Sequence, residues 1–140
     1  IRKFCKSTNQ KIPETPGQIS RVILESLALE YKLYVGRLES IAGQIDVLHI
    51  VGGGSQNKVL SGFAASATKK DILCGPVEAT SIGNIGVQMI ADKTIKNHDE
   101  FRQVVRNSFP LIEYHPENPE DWNQPYEKYL KLKKMSESFI

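Results

Sequence analysis

The feature that most constrains the fold is a strand-like run that leads into three glycines and then into a helix. Leu48-His49-Ile50-Val51 is short and apolar, Gly52-Gly53-Gly54 follows it, and Ser55-Gln56-Asn57 precedes an amphipathic segment. Glycine allows positive φ values and a close approach of the backbone to a ligand. The free N–H groups where such a loop enters a helix favour an anion. The run therefore predicts either a phosphate or nucleotide site or a tight structural turn.

Two common nucleotide-binding loops do not fit this run. Gly54 is followed by Ser-Gln-Asn and not by the Gly-Lys-Ser/Thr of a Walker loop. Asn57 stands where the Rossmann fingerprint needs its last glycine. The amides of Gln56 and Asn57 could still bond a ribose, an adenine edge or a phosphate. From its residues alone, the loop leaves both interpretations open.

The rest of the chain alternates helices with short apolar runs, which predicts an α/β fold with two short parallel strands and flanking helices. Thr15-Pro16-Gly17-Gln18 forms a capping box with proline at the first helical position. Asn97, with Glu100 three residues later, is a second helix start. The predicted elements are helices over about 16–42, 56–69, 79–91, 97–109 and 126–139, with strands at 46–51 and 72–74.

The long predicted helix is apolar on one broad face, so we expect it to be buried on more than one side. Two short strands cannot cover such helices, because a typical sheet has about 4–6 strands. We therefore expect the chain to be part of a larger domain and to self-associate through uncovered surfaces. Its first residue, Ile1, is not methionine, which agrees with this view. The residues on the apolar face are Ile19, Ile23, Leu27, Tyr31, Tyr34, Leu38 and Ile41.

Composition excludes several other classes of protein. The net charge of +2 in 140 residues is too small to indicate a nucleic-acid or membrane-surface partner. No apolar run reaches the ~20 residues of a membrane helix, and no secretory signal is present. The two cysteines are far apart and the three histidines lack zinc-ligand spacing. We therefore predict a cytoplasmic location and no metal site.

Four segments of the sequence stand out together: 13–17, 25–31, 48–57 and 75–86. In this order and at this spacing, they closely resemble the C-terminal part of the rhamnulokinase group of the FGGY carbohydrate kinase family. This family also includes glycerol kinase and xylulokinase. The Gly-Gly-Gly loop resembles the broad family, whereas Ser-Gln-Asn and Gly-Pro-Val-Glu-Ala-Thr resemble the rhamnulokinase group. The similarity continues over 101–109 and covers about residues 1–115 in all.

The resemblance implies a fold and a reaction. The fold is part of an actin-like ATPase (ribonuclease H-like) domain. Residues 1–115 would be the C-terminal portion of the ATP-binding domain, and 116–140 a Pro-rich linker with a basic C-terminal helix. The implied partners are ATP with Mg²⁺ and a sugar. The γ-phosphoryl of ATP would pass to a sugar hydroxyl, by this resemblance the 1-hydroxyl of L-rhamnulose.

The resemblance also implies site residues. Gly53 is the best candidate for an ATP contact, and Gly52, Gly54, Gln56 and Asn57 surround it. The family's general-base aspartate lies in a Gly-x-His-Asp-Thr segment that is absent here, so no catalytic residue is predicted and the chain alone is expected to be inactive. The aspartates of this chain, all in other contexts, are Asp46, Asp71, Asp92, Asp99 and Asp121.

Two alternatives stay open. One is a kinase of the same family that acts on another ketose or polyol. The other is a stand-alone interaction module that keeps the fold without turnover.

His49 is expected to be a packed strand residue. Gly83 and Gly86 each cost up to ~1 kcal/mol inside a helix, so we expect them to serve packing against the helix after the glycine loop.

Overall fold

The computed structural model describes residues 1–137, which form a three-stranded sheet with helices on both sides. In chain order the elements are α1 (Arg2–Ser7), α2 (Pro16–Ala42), β1 (Val47–Ile50), α3 (Lys58–Thr68), β2 (Asp71–Cys74), α4 (Ala79–Ala91), α5 (His98–Ser108), β3 (Ile112–Tyr114) and α6 (Asn123–Glu137). Short 3-10 helices cover Gly53–Gln56 and Pro119–Trp122.

The predicted bounds of α2 are confirmed because local hydrogen bonds fix both of its ends. The Thr15 hydroxyl oxygen accepts the Gln18 N–H at 3.2 Å, and the Gln18 side chain accepts the Thr15 N–H at 3.2 Å. At the other end Gly43 has a φ of +83°, a conformation that glycine adopts at low cost. The capping box and the C-terminal glycine each involve only residues close in sequence, so both ends of α2 can be predicted from the sequence.

The sheet has the order β1-β2-β3, with β2 in the centre. β1 and β2 are parallel, with Leu48 opposite Ile72 and Ile50 opposite Cys74. The two predicted parallel strands are therefore confirmed. β3 pairs antiparallel with β2 and was not predicted. It has only three residues, too few to show a strand period.

The core lies between the sheet and α3. Small side chains allow the helix to approach the sheet closely, and the fully buried Ile72 is at the centre of this contact. The thiol of Cys74 donates to the Ser61 hydroxyl at 3.2 Å. The buried cluster consists of Ile50, Ala64, Ala65, Ile72 and Cys74, with Tyr31, Leu48 and Tyr114 packed against it.

The chain after β3 contacts the outer surfaces of α3 and α2. The Trp122 ring lies 5.4 Å from that of Phe63, and the Glu117 N–H donates to the Ser66 hydroxyl at 3.0 Å. α6 begins at Asn123, three residues before its predicted start, and the prediction for 138–139 falls outside the described residues. An ion pair between Lys133 and Glu30 fixes α6 on α2.

Beside β3, His115 and Asp71 connect the end of one strand to the start of the next. His115 Nδ1 lies 2.8 Å from Asp71 Oδ1. This hydrogen bond and the carboxylate charge raise the pKa of the His115 imidazole above its ordinary value. The pair lies at the end of the sheet opposite the glycine loop.

The broad apolar face of α2 is not buried as predicted. α2 buries Ala28, Leu29 and Val35 instead. We call the exposed part of the predicted face the α2 stripe. The α2 stripe consists of Ile23 (43% exposed), Leu27 (44%), Tyr34 (49%), Leu38 (52%) and Ile41 (85%).

No helix within residues 1–137 combines the length and the apolar character that crossing a membrane requires.

Candidate nucleotide site

The glycine loop leaves β1 at Ile50 and makes a sharp change of direction at Gly52. Gly52 has a φ of +76°, which a residue with a side chain would adopt only with strain. The next four residues form the 3-10 helix Gly53–Gln56. Ser55 is buried within this turn, and its hydroxyl donates to the Gly52 carbonyl at 2.7 Å. The loop is thus held from inside by Ser55 and exposes its glycines outward.

Two backbone hydrogen bonds join this loop to the loop that follows β2. Gly52 N–H donates to the Pro76 carbonyl at 3.1 Å, and Gly75 N–H donates to the Ile50 carbonyl at 2.8 Å. The carboxyl ends of both parallel strands therefore meet at one edge of the sheet. In open α/β sheets, ligands bind in the crevice outside this edge.

The five predicted site residues lie together on this loop but differ in what they offer. A Cβ added at Gly53 or Gly54 would meet no atom within 4 Å, so both backbones face open space. Within residues 1–137 the N–H groups of these two glycines have no hydrogen-bond partner. Gln56 is exposed and also lacks a side-chain partner there. Gly53, Gly54 and Gln56 are therefore free to bind a ligand.

Asn57 and Gly52 already have structural roles. The side-chain oxygen of Asn57 accepts the Leu60 N–H at 3.1 Å and caps α3. This cap uses one acceptor position of the Asn57 oxygen, and the amide nitrogen stays available to donate to a ligand. Gly52 shapes the turn, and its N–H is used by Pro76. The sequence identified all five residues without separating Gly52 and Asn57, which build the loop, from the three that lack hydrogen-bond partners within residues 1–137.

A cleft of about 540 Å³ lies beside the loop, on the face of the sheet away from α2. His49 and Gly83 line it, together with Arg102 and Arg106 of α5. His49 is exposed, so the prediction of a packed strand histidine is wrong. The two arginines were missed by sequence reasoning, since only the fold brings α5 beside β1. Their four-residue spacing places them on one helix face, but nothing in the sequence indicates which element that face meets.

The two glycines inside α4 also differ from each other. A Cβ at Gly86 would lie 2.4 Å from the Phe101 ring, whereas one at Gly83 would meet nothing within 4 Å. Gly86 serves packing, as predicted, but its partner is α5 and not the helix after the glycine loop. The reason is that α4 and α3 lie on opposite faces of the sheet.

Asp46 and Asp71 lie away from the glycine loop. Asp46 precedes β1 and Asp71 begins β2, which places both at the opposite end of the sheet. Asp71 is also engaged by His115. Within residues 1–137 no group of three or more His, Cys, Asp or Glu side chains is arranged to hold a metal ion.

A wider cleft of about 860 Å³ lies between α2, α3 and the chain after β3. It contains none of the five predicted residues. Its floor includes Phe63 and Trp122, whose rings pack against each other. Volume alone therefore does not identify the site, and the free glycine amides at the carboxyl edge of the sheet favour the glycine loop.

The fold itself resembles that of a known enzyme. A xylulose kinase from Rhodospirillum rubrum superimposes with a TM-score of 0.70 and 19% sequence identity, over 92% of this chain and 26% of that enzyme. The chain therefore has the α/β fold of part of an actin-like ATPase domain.

Sequence comparison identifies the family. The model of the C-terminal domain of the FGGY family of carbohydrate kinases matches residues 2–91. The chain belongs to this family of carbohydrate kinases.

Individual relatives agree with the family match. A rhamnulokinase from Bacteroides thetaiotaomicron is 39% identical over 127 residues, which is 90% of this chain and 26% of that protein. A rhamnulokinase from Bacillus subtilis is 42% identical over 119 residues, and one from Mannheimia succiniciproducens is 44% identical over 115. These two matches cover 84% and 81% of this chain and 24% of each relative. The chain thus spans about a quarter of the length of these relatives.

Proposed function

We propose that this chain forms part of the ATP-binding domain of a sugar kinase that transfers the γ-phosphoryl of ATP to the 1-hydroxyl of L-rhamnulose. The observation that carries the proposal is the open glycine loop, whose two free amides lie at the carboxyl edge of two parallel strands in a carbohydrate kinase fold. The choice of sugar is supported by rhamnulokinases at 39–44% identity.

In this proposal the N–H groups of Gly53 and Gly54 donate to the nucleotide, and the Gln56 amide bonds a ribose, a phosphate or an adenine edge. Gly52 and Asn57 contribute by holding the loop, because one shapes the turn and the other caps α3. Phosphoryl transfer depends chiefly on positioning and on neutralising charge, and the Mg²⁺ of Mg-ATP supplies part of that charge.

We also propose a cytoplasmic location, since both cysteines are free thiols and such thiols persist in reducing compartments. The division into residues 1–115, which would belong to the ATP-binding domain, and 116–140, a linker with a basic helix, stays a prediction.

Phosphoryl transfer also needs a group to accept the proton of the sugar hydroxyl, and the proposal places this aspartate outside the chain. The purified 140-residue chain is therefore expected to release no ADP from ATP in response to L-rhamnulose. A coupled ADP assay with a panel of sugars measures this, with a full-length rhamnulokinase as the positive control. Sugar-dependent ADP release by the chain alone would contradict the proposal.

The same panel, applied to the kinase-length protein encoded with this chain, tests the sugar. The highest kcat/KM is expected for L-rhamnulose. A higher value for another ketose or a polyol would favour the first alternative. A reading frame that encodes no further kinase sequence would favour the non-catalytic module.

Replacing Gly53 by alanine is expected to raise the KM for ATP about tenfold, a cost of about 1.4 kcal/mol. The added methyl would occupy the space where the nucleotide approaches the backbone. Folding should be unaffected, because Gly53 has no positive φ and the methyl would meet no protein atom within 4 Å. Steady-state kinetics of the kinase-length protein and its thermal unfolding together measure both effects.

Gly62→Ala is the matched control for this variant. Gly62 lies in α3, and a Cβ there would also meet nothing within 4 Å. This control should leave the KM for ATP unchanged. An unchanged KM in Gly53→Ala as well would remove the glycine loop from the nucleotide site.

A further inference from the structure

Two arginines of α5 line the cleft beside the glycine loop, and neither is firmly paired. The guanidinium group of Arg102 lies 3.8 Å from the Asp99 carboxylate, and both side chains are largely exposed, so this ion pair contributes little. The Arg106 side chain has no hydrogen-bond or ion-pair partner within residues 1–137. α5 therefore presents two available guanidinium groups to one cleft.

The lining of this cleft leaves the arginine charges uncompensated. His49 adds an imidazole, whereas no Asp or Glu of the described chain lines the cleft. The remaining lining residues are apolar, and at Gly83 an added Cβ would meet no atom within 4 Å. A volume of about 540 Å³ is typical of a small-molecule site. Cationic side chains without a neighbouring acid favour an anionic ligand in such a cleft.

The cleft adjoins the proposed nucleotide site. Val51 lines the cleft and directly precedes Gly52, the first residue of the glycine loop. Pro76 also lines the cleft, and its carbonyl accepts the Gly52 N–H at 3.1 Å. The cleft and the free amides of the glycine loop thus lie at the same carboxyl edge of β1 and β2. A nucleotide bound at those amides has the arginine cleft directly beside it.

Packing between α4 and α5 holds the two arginines in place. The Phe101 ring lies so close to Gly86 that a Cβ there would be 2.4 Å from it. Phe101 directly precedes Arg102 and itself lines the cleft. The anchored helix fixes the backbone from which both guanidinium groups extend, and such preorganised groups lose less conformational entropy on binding.

We propose that Arg102 and Arg106 bind phosphate groups of the nucleotide, so that α5 forms a second wall of its site. The guanidinium group is planar, and its paired N–H donors match the oxygens of a phosphate. The arginines and the glycine amides then share the phosphate charge. The assignment rests on the proposed function, but it does not follow from the family match, which covers residues 2–91 and ends before α5.

The test compares two probes, ADP and adenosine, in the kinase-length protein and its variant Arg102→Gln/Arg106→Gln. Isothermal titration calorimetry measures ADP binding directly and adenosine binding by displacement of ADP. The Kd for ADP is expected to rise about tenfold or more, because charge-assisted hydrogen bonds are lost. Adenosine has no phosphate, so its Kd should change less than about twofold. Arg102→Lys/Arg106→Lys keeps the charges and should recover part of the affinity for ADP.

Arg21→Gln/Arg37→Gln is the matched control, since it removes the same charge from α2, on the other face of the sheet. It should leave both dissociation constants unchanged. An equal loss of affinity for adenosine would overturn the assignment and place the arginines at the base or the ribose. Unchanged affinity for ADP would also overturn it. A lower melting temperature in that case would assign the arginines to packing against another part of the protein.

Two further results separate this assignment from the proposed function. If the wild-type kinase-length protein binds no ADP, the proposed function fails and the assignment fails with it. If the wild type binds ADP and Gly53→Ala weakens that binding while the double glutamine variant of α5 does not, only the assignment of the arginines fails.

Discussion

Replacing Ile72 by alanine is expected to lower the free energy of unfolding by about 2–5 kcal/mol. Ile72 lies in the central strand and is fully buried against the alanines of α3. Truncation removes buried apolar surface and leaves a cavity, because strands on both sides hold the backbone of β2 in place. Urea denaturation at one fixed protein concentration measures the change.

Two variants serve as controls for this result. Ile72→Val removes one methylene group and should cost only about 0.5–1.5 kcal/mol. Ile112→Ala, in β3, removes a side chain that is 47% exposed and should cost much less than Ile72→Ala. If Ile72→Ala cost no more than Ile112→Ala, the sheet centre would not be the main source of stability.

Replacing Gly86 by alanine is expected to lower the free energy of unfolding by about 1–3 kcal/mol, as overpacking does. Alanine is favoured over glycine inside a helix by up to ~1 kcal/mol, so the backbone term acts in the opposite direction. The steric term prevails because the new Cβ would lie 2.4 Å from Phe101 Cζ. The ring would have to move away from its place between α4 and α5.

Gly83→Ala separates these two terms. It lies in the same helix, and its Cβ would meet nothing within 4 Å, so it should stabilise the chain. Combining Gly86→Ala with Phe101→Leu should recover part of the loss, and a double-mutant cycle gives the coupling energy. A coupling near zero would show that Phe101 is not the group that excludes a side chain at position 86.

Local signals in the sequence predicted most of the elements. The capping box at Thr15 and Gln18 and the glycine at 43 fix α2, because both ends depend on hydrogen bonds and dihedral angles within a few residues. The cap of α5 is equally local, since the Asn97 side chain accepts the N–H groups of Asp99 and Glu100. By contrast, β3 forms by pairing with β2, which is distant in sequence, and three residues are too few to show a strand pattern.

The candidate site was predicted in its residues but not in their roles. Three glycines before a helix indicate a loop that a ligand can approach closely. They do not reveal that Asn57 is committed to capping α3, or that Pro76 accepts a hydrogen bond from Gly52. Arg102 and Arg106 reach the neighbouring cleft only through the packing of α5, which is a long-range property.

The α2 stripe also could not be predicted correctly from local sequence patterns. A period of 3.6 residues tells which side chains share a face of a helix, but not what covers that face. The apolar face of α2 was therefore assigned to the core, while the residues that α2 buries in the structure are Ala28, Leu29 and Val35.

The paired hydrogen bonds between the loops after β1 and β2 have a mechanical consequence. Because Gly52 donates to Pro76, and Gly75 donates to Ile50 at the end of β1, a shift of either loop alone would break at least one of these hydrogen bonds. The loop after β2 leads directly into α4. At Gly86 of α4 the Phe101 ring of α5 packs so closely that there is no room for a Cβ. A ligand that displaced the glycine loop would therefore be expected to strain these hydrogen bonds and, through the loop after β2, to act on the start of α4.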